Sequence, residues 1–281
     1  MVLQALPVLD PVPLMEEVHG RLLLLLRDLR PREWALPTVA RKWCVKDIAA
    51  HLLDGQIRRL STQRDHWSPP PPAGGINGYA DLVAYLNELN RTWVEAARRM
   101  SPGVLIELLE WSGAALFGML KAVDLESPAL FPVAWAGESR STLRFDLARE
   151  LTEIWLHQQQ IRLATDRPPL FEARLLHPVM DAFMQAMPHT YRDCDAVEGT
   201  SIGVKICGDA PRNYGLMKES AGWRLGLVDL EPVGVSIQMD PGTAWLLFSK
   251  GLSREEALAR IQITGDARLA EPLLGMVSVM A

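Results

Sequence analysis

Two textures divide this chain, and the change between them near Gly199 limits the fold more than any single motif. Before that point apolar residues recur at helical spacing in long segments. After it they come in short β-type runs separated by Gly, Pro, Asp or Asn. The spacing predicts helices over residues 13–29, stopped by Arg30-Pro31, then 45–65 and 79–100. Ser101 as N-cap with Pro102 in the first helical position starts another, running to residue 123. Pro69 to Pro72 with Gly74 and Gly75 can only be a connection, and residues 127–141 read as an irregular excursion. Helices over 143–165, ended by Arg167-Pro168-Pro169, and over 172–190 complete this part. Strands follow at 201–207, 214–218, 223–228, 233–239 and 261–264, with helices at 241–248, 254–259 and 266–279. Strands gathered first and helices later suggest an α+β layer domain. A 281-residue chain exceeds one typical domain, and 48% hydrophobic content fills substantial cores. The expected fold is therefore mainly α in two domains, 10–190 and 195–281.

Charge and composition exclude several classes. A formal charge of −5 argues against a general nucleic-acid binder, because phosphate neutralisation needs clustered Lys and Arg. Arg58, Arg59 and Arg64 form the one local basic group. No stretch reads as a membrane-spanning helix, since the run Leu22 to Leu26 is closed by Arg21 and Arg27. The first 20 residues carry Asp10, Glu16 and Glu17 without Lys or Arg, which is wrong for a secretory segment, and a cytoplasmic protein is expected. Cys44, Cys194 and Cys207 are odd in number and lack paired spacing, so they read as reduced thiols.

The chemistry-bearing signal lies in Glu153, His157 and His51. A helix advances about 100° per residue, so a Glu and a His four apart lie within roughly 40° of each other on one face. Two nitrogens and a carboxylate oxygen suit zinc and leave a coordination position open. The same set also suits non-haem iron, and nickel is a further candidate. Taken bare, such an i, i+4 pair is a common accident that also stabilises exposed helices. Cys44 lies on the face of His51 but about 10 Å away along the axis, which excludes both from one metal's first shell. His19, His66, His177 and His189 lack a partner at chelating spacing. Trp43 and Trp155 flank the proposed ligands, where simple burial is the plainer reading and a water-excluding wall the functional one.

The flanks add a resemblance. Trp43, Lys46-Asp47 and Ala50-His51-Leu52 resemble the second helix of the DinB-like metal-binding four-helix bundles, in which that His is the first ligand. Residues 151–162, with Pro168 following, are similar to the helix carrying the other two ligands. Glu153 as the first of that pair resembles the mycothiol-dependent maleylpyruvate isomerase branch, whose metal domain precedes a small α+β domain like sterol carrier protein 2 (SCP2-like). Two positions depart from the pattern: Cys44 where Ser is frequent, and Gln160 where Asp is frequent. The resemblance implies an up-down four-helix bundle holding zinc or another divalent metal on His51, Glu153 and His157. It implies a low-molecular-weight thiol cofactor, mycothiol or similar, and a small electrophilic substrate. Charge and hydropathy, as above, lead to the expectation of no nucleic-acid and no membrane partner. Isomerase and S-transferase chemistry both fit, and no side chain is nominated as acid or base. A cation should stabilise developing negative charge, for which Arg59 and Arg162 are the cofactor-binding candidates. The competing class is a non-catalytic carrier or sensor of a metal or apolar ligand.

Overall fold

The computed structural model describes residues 2–70, 72, 74–229 and 234–279. Contacts divide the chain into two compact units: Asp10–Leu130 with Thr142–Pro169, and Met1–Leu9, Phe131–Ser141 and Leu170–Ala281.

The helical unit contains α1 (Val12–Asp28), α2 (Val45–Arg59), α3 (Tyr79–Ala97), α4 (Pro102–Leu120) and α5 (Leu143–Ala164). Both α1 and α2 pack on α4 and α5, so these four close into a bundle. Helix α3 packs on α2 and buries only Val94 and Ala97. Met15, Val18, Leu22, Ile48, Leu53, Leu105, Leu109, Leu147 and Trp155 are completely buried, each worth about 1.5–3 kcal/mol in transfer from water. Helix α5 packs on α1 and α2 and is buried over most of its length, and its buried positions include Gln158, Gln159 and Gln160. Contrary to the expectation, one helix is long and apolar enough to cross a membrane, the 19-residue α4. Here its apolar face, with Leu105, Leu109, Leu116 and Phe117, is buried in the bundle core.

A polar chain crosses that core. The Ser112 hydroxyl donates to Gln56 Oε1 at 2.6 Å, and the Gln56 amide donates to His19 Nδ1 at 3.0 Å. The His19 ring fills the space over Gly113, where a Cβ would stand 2.2 Å from Nε2, so this helix position accepts only glycine. Burial lowers the His19 pKa to about 4 from an ordinary 6.5. The unfolded chain therefore takes up this proton first: the stabilising contribution is complete above pH 6.5 and is lost as pH falls to about 4. A gap of that size corresponds to a stability loss on the order of 3 kcal/mol. Urea unfolding of the helical unit at pH 7 and at pH 4.5 should show most of this loss, and His19→Asn should remove that part of the pH dependence. Equal slopes in both proteins would place the acid sensitivity elsewhere.

The second unit holds α6 (Ala173–Met184), α7 (Met187–Thr190) and a five-stranded sheet. Its strands are β1 (Ser201–Ile206), β2 (Arg212–Glu219), β3 (Gly222–Leu227), β4 (Val235–Met239) and β5 (Gln262–Gly265), in the order β3-β2-β1-β4-β5. Only β1 and β4 pair in parallel. Ile202, Val204, Ile206, Tyr214, Leu216 and Ile237 are buried, and α8 (Pro241–Phe248), α9 (Arg254–Leu258) and α10 (Glu271–Leu274) complete the unit. The expected start of the fourth strand at Val233 lies outside the described residues, as does Pro71 of the expected connection.

Three expectations are corrected. Contacts cut the chain elsewhere than at residues 190–195, for α6 and α7 group with the sheet. Asp181 of α6 takes hydrogen bonds from Arg212 Nε at 2.6 Å and the Tyr214 hydroxyl at 2.7 Å, and the Phe183 ring meets Phe248 at 6.3 Å. An amphipathic period reveals that a face is buried but not against what. The segment 172–190 is two helices, with Pro188 in the first turn of the second. The closing helix expected over 266–279 is a 3-10 turn, Ala267–Leu269, and a single helical turn, because Pro272 has no N–H to continue the ladder.

Candidate metal centre

The first ligand is delivered by a well-braced helix start. Pro37 bridges to Cys44, and Thr38 Oγ1 donates to the Trp43 carbonyl at 2.8 Å, turning the chain into α2 with Cys44 as N-cap. Asp47 accepts from the Cys44 backbone N–H at 3.1 Å and from Arg98 at 3.1 and 3.2 Å. Burial opposes its ionisation, but the Arg98 and Cys44 hydrogen bonds prevail and hold the carboxyl below its ordinary value. His51 follows one turn later on the inner side of α2, half-buried.

Three side chains converge: ligand atoms of His51, Glu153 and His157 all lie within 4.8 Å of one another. No other such group occurs among the described residues, and Cys44 stays outside this one. His157 Nε2 lies 3.3 Å from Glu153 Oε2, and the two imidazole rings meet nearly edge-on at 4.7 Å. Two donors bound to one tetrahedral ion at about 2.1 Å each lie roughly 3.4 Å apart, so this pair is spaced to share a cation. The Nδ1 of His51 is buried and has no hydrogen-bond partner, a costly condition that a bound ion or water would relieve. Burial, reinforced by His157 and Arg58, pushes the His51 pKa well below its ordinary value despite the neighbouring Asn90, favouring the neutral form that binds metal. The residues present therefore fit a divalent cation.

Two neighbours refine the sequence reading. The half-buried Trp43 ring lies 4.7 Å from that of His51 and 6.0 Å from that of His157, so it forms a wall over both imidazoles. Trp155, by contrast, is wholly buried core. Gln160 Oε1 stands 2.8 Å from His157 Nδ1; the sequence marks this position as a departure, Gln where Asp is frequent, in the helix of the ligand pair.

The cation candidates sit differently. Arg59 Nη2 pairs with Asp146 at 2.9 Å and Glu150 at 3.2 Å, while Arg149 Nη2 reaches the same two carboxylates at 2.6 and 2.7 Å. Burial would raise the Glu150 pKa, yet the charges of Arg59 and Arg149 prevail and bring it to about 2. Two cations and two carboxylates make a neutral cluster bridging α2 and α5. Arg162 donates to Gln158 Oε1 and to the Pro168 carbonyl. Both guanidiniums proposed for cofactor contact are thus engaged by the protein itself. The basic group is likewise dispersed, with Arg58 paired to Asp54 and Arg64 to Asp65.

A family model described as the mycothiol maleylpyruvate isomerase N-terminal domain matches residues 15–162, just over half of the 281. A solved structure of the mycothiol-dependent maleylpyruvate isomerase is similar over 92% of this chain and 93% of its own, with 12% identity and a TM-score of 0.55. A histidine-to-alanine mutant of that enzyme gives the same coverage and identity and a TM-score of 0.56. Likeness at that identity demonstrates a common fold. The sterol carrier protein domain 2 of Helicoverpa armigera, at 16% identity, covers 37% of this chain and 80% of its own. Its TM-score of 0.24 carries no argument about the sheet unit. No curated protein matches.

Proposed function

This chain belongs to the mycothiol maleylpyruvate isomerase N-terminal domain family, and we propose that it is a divalent-metal enzyme using a low-molecular-weight thiol to isomerise a small electrophile. The observation that carries this reading is the convergence of His51, Glu153 and His157, with the Nε2 of His157 turned to the Glu153 carboxylate. These three would hold the ion, and a set of two neutral imidazoles and one carboxylate suits zinc, with nickel or iron as alternatives. When bound, the cation supplies Lewis acidity that favours an ionised thiol, and the thiol supplies a nucleophile for reversible addition to an activated double bond. Trp43 shields the imidazoles on one side, lowering the local dielectric around the donors. The Arg59–Asp146–Arg149–Glu150 cluster fixes α2 against α5, and hence His51 against the other two ligands.

The test supplies zinc-loaded protein with maleylpyruvate and, in turn, mycothiol, bacillithiol and glutathione. Isomerisation that needs both metal and one of the thiols is the expected result. Protein that binds metal but turns over with none of them would instead support a carrier or sensor. Transfer of the thiol without return to an isomer would make it an S-transferase.

A further inference from the structure

Neutral imidazole has one N–H, and His157 has an oxygen acceptor at each ring nitrogen: Gln160 Oε1 at 2.8 Å from Nδ1 and Glu153 Oε2 at 3.3 Å from Nε2. The first distance is that of a good hydrogen bond, and the second lies beyond the usual range. Both His157 and Gln160 are buried, at 7% and 6% exposure, which leaves little access for a water to replace the amide. The neighbouring glutamine is committed elsewhere, with Gln158 Nε2 donating to the Val18 carbonyl at 2.9 Å. We propose that Gln160 is a positioning residue for the metal centre: its side-chain oxygen accepts the Nδ1 proton of His157 and so keeps the Nε2 lone pair directed at the space shared with Glu153. This rests on the metal reading above.

Such outer partners fix ring orientation and tautomer at metal sites. An amide does so without adding charge. A divalent ion held by one carboxylate and two imidazoles therefore keeps a net positive charge, which suits an anionic ligand at the open position. The orientation of the amide is the critical element. Turned over, its NH₂ would donate to Nδ1, send the ring proton to Nε2 and close the pair against a cation by a hydrogen bond to Glu153.

The test reads the tautomer directly, by long-range ¹H–¹⁵N NMR of His157 in metal-free protein at a pH where imidazole is neutral, and metal affinity separately by chelator competition. Wild type should show the Nδ1–H form. Gln160→Glu keeps an acceptor and should keep that form, with metal affinity within about tenfold, whereas Gln160→Met should lose the form and weaken metal binding about 10- to 100-fold. An Nε2–H signature in wild type overturns the proposal, as does Gln160→Met with unchanged tautomer and affinity. Should Gln160→Met fail to fold, the wild-type signature and Gln160→Glu still decide. Because the NMR needs no metal, absence of metal binding in wild type would refute the metal reading and leave the tautomer result standing.

Discussion

Arg59→Met is expected to destabilise the helical unit by about 3–5 kcal/mol, the usual cost of removing one member of a buried ionic cluster. The methionine side chain approximates the length of the stem, so the loss reports charge rather than a cavity. Asp146 is almost fully buried and Glu150 is held ionised by Arg59 and Arg149 together, so one remaining guanidinium must serve two carboxylates. The control is Arg91→Met, whose partners Glu88 and Glu95 are exposed and whose loss should leave stability close to that of wild type. Urea denaturation at pH 7 compares the two. A cost for Arg59→Met no greater than that of the control would mean that the cluster is solvated and does not brace α2 against α5.

His51→Ala, Glu153→Ala and His157→Ala should each lower thiol-dependent isomerisation about 10³-fold or more. Loss of several kcal/mol of charge stabilisation corresponds to a factor of that size. The three side chains lie on two helices but act on one ion, so the losses should not add: a double variant should be hardly worse than a single one. Far-UV circular dichroism should remain that of wild type, since the apolar core beneath the site is untouched. Wild-type kcat/KM in any one variant would remove that residue from the site.

Much of this was legible in the residues because the helices carry strong punctuation. Ser101 caps α4 through its hydroxyl, and Pro168 follows the end of α5. The i, i+4 spacing of Glu153 and His157 placed both on one face, and the Ala-His-Leu flank chose His51 from six histidines. What escaped was information carried only by packing. Helix α6 shows a clear apolar face, but nothing in its period says that the face meets a sheet instead of the bundle. Composition does not say where three successive glutamines point, and in this mostly buried helix Gln158 reaches α1 and Gln160 reaches His157. Arg59 sat near the right face for an anion contact, but its partners Asp146 and Glu150 lie 87 and 91 positions away in sequence, beyond any local pattern. Trp43 and Trp155 looked alike in sequence, and only the turn at Pro37 and Cys44 brings the Trp43 ring over the imidazoles.

Metal content is the measurement that bears most directly on whether His51, Glu153 and His157 form a metal centre. Wild type and the three alanine variants would be stripped, reloaded separately with zinc, nickel and ferrous iron, and assayed by inductively coupled plasma mass spectrometry after removal of unbound ion. About one ion per chain in wild type, with near-complete loss in each variant, is the predicted result. Full occupancy in all three variants, or no bound ion in wild type with any of the metals, would contradict the assignment.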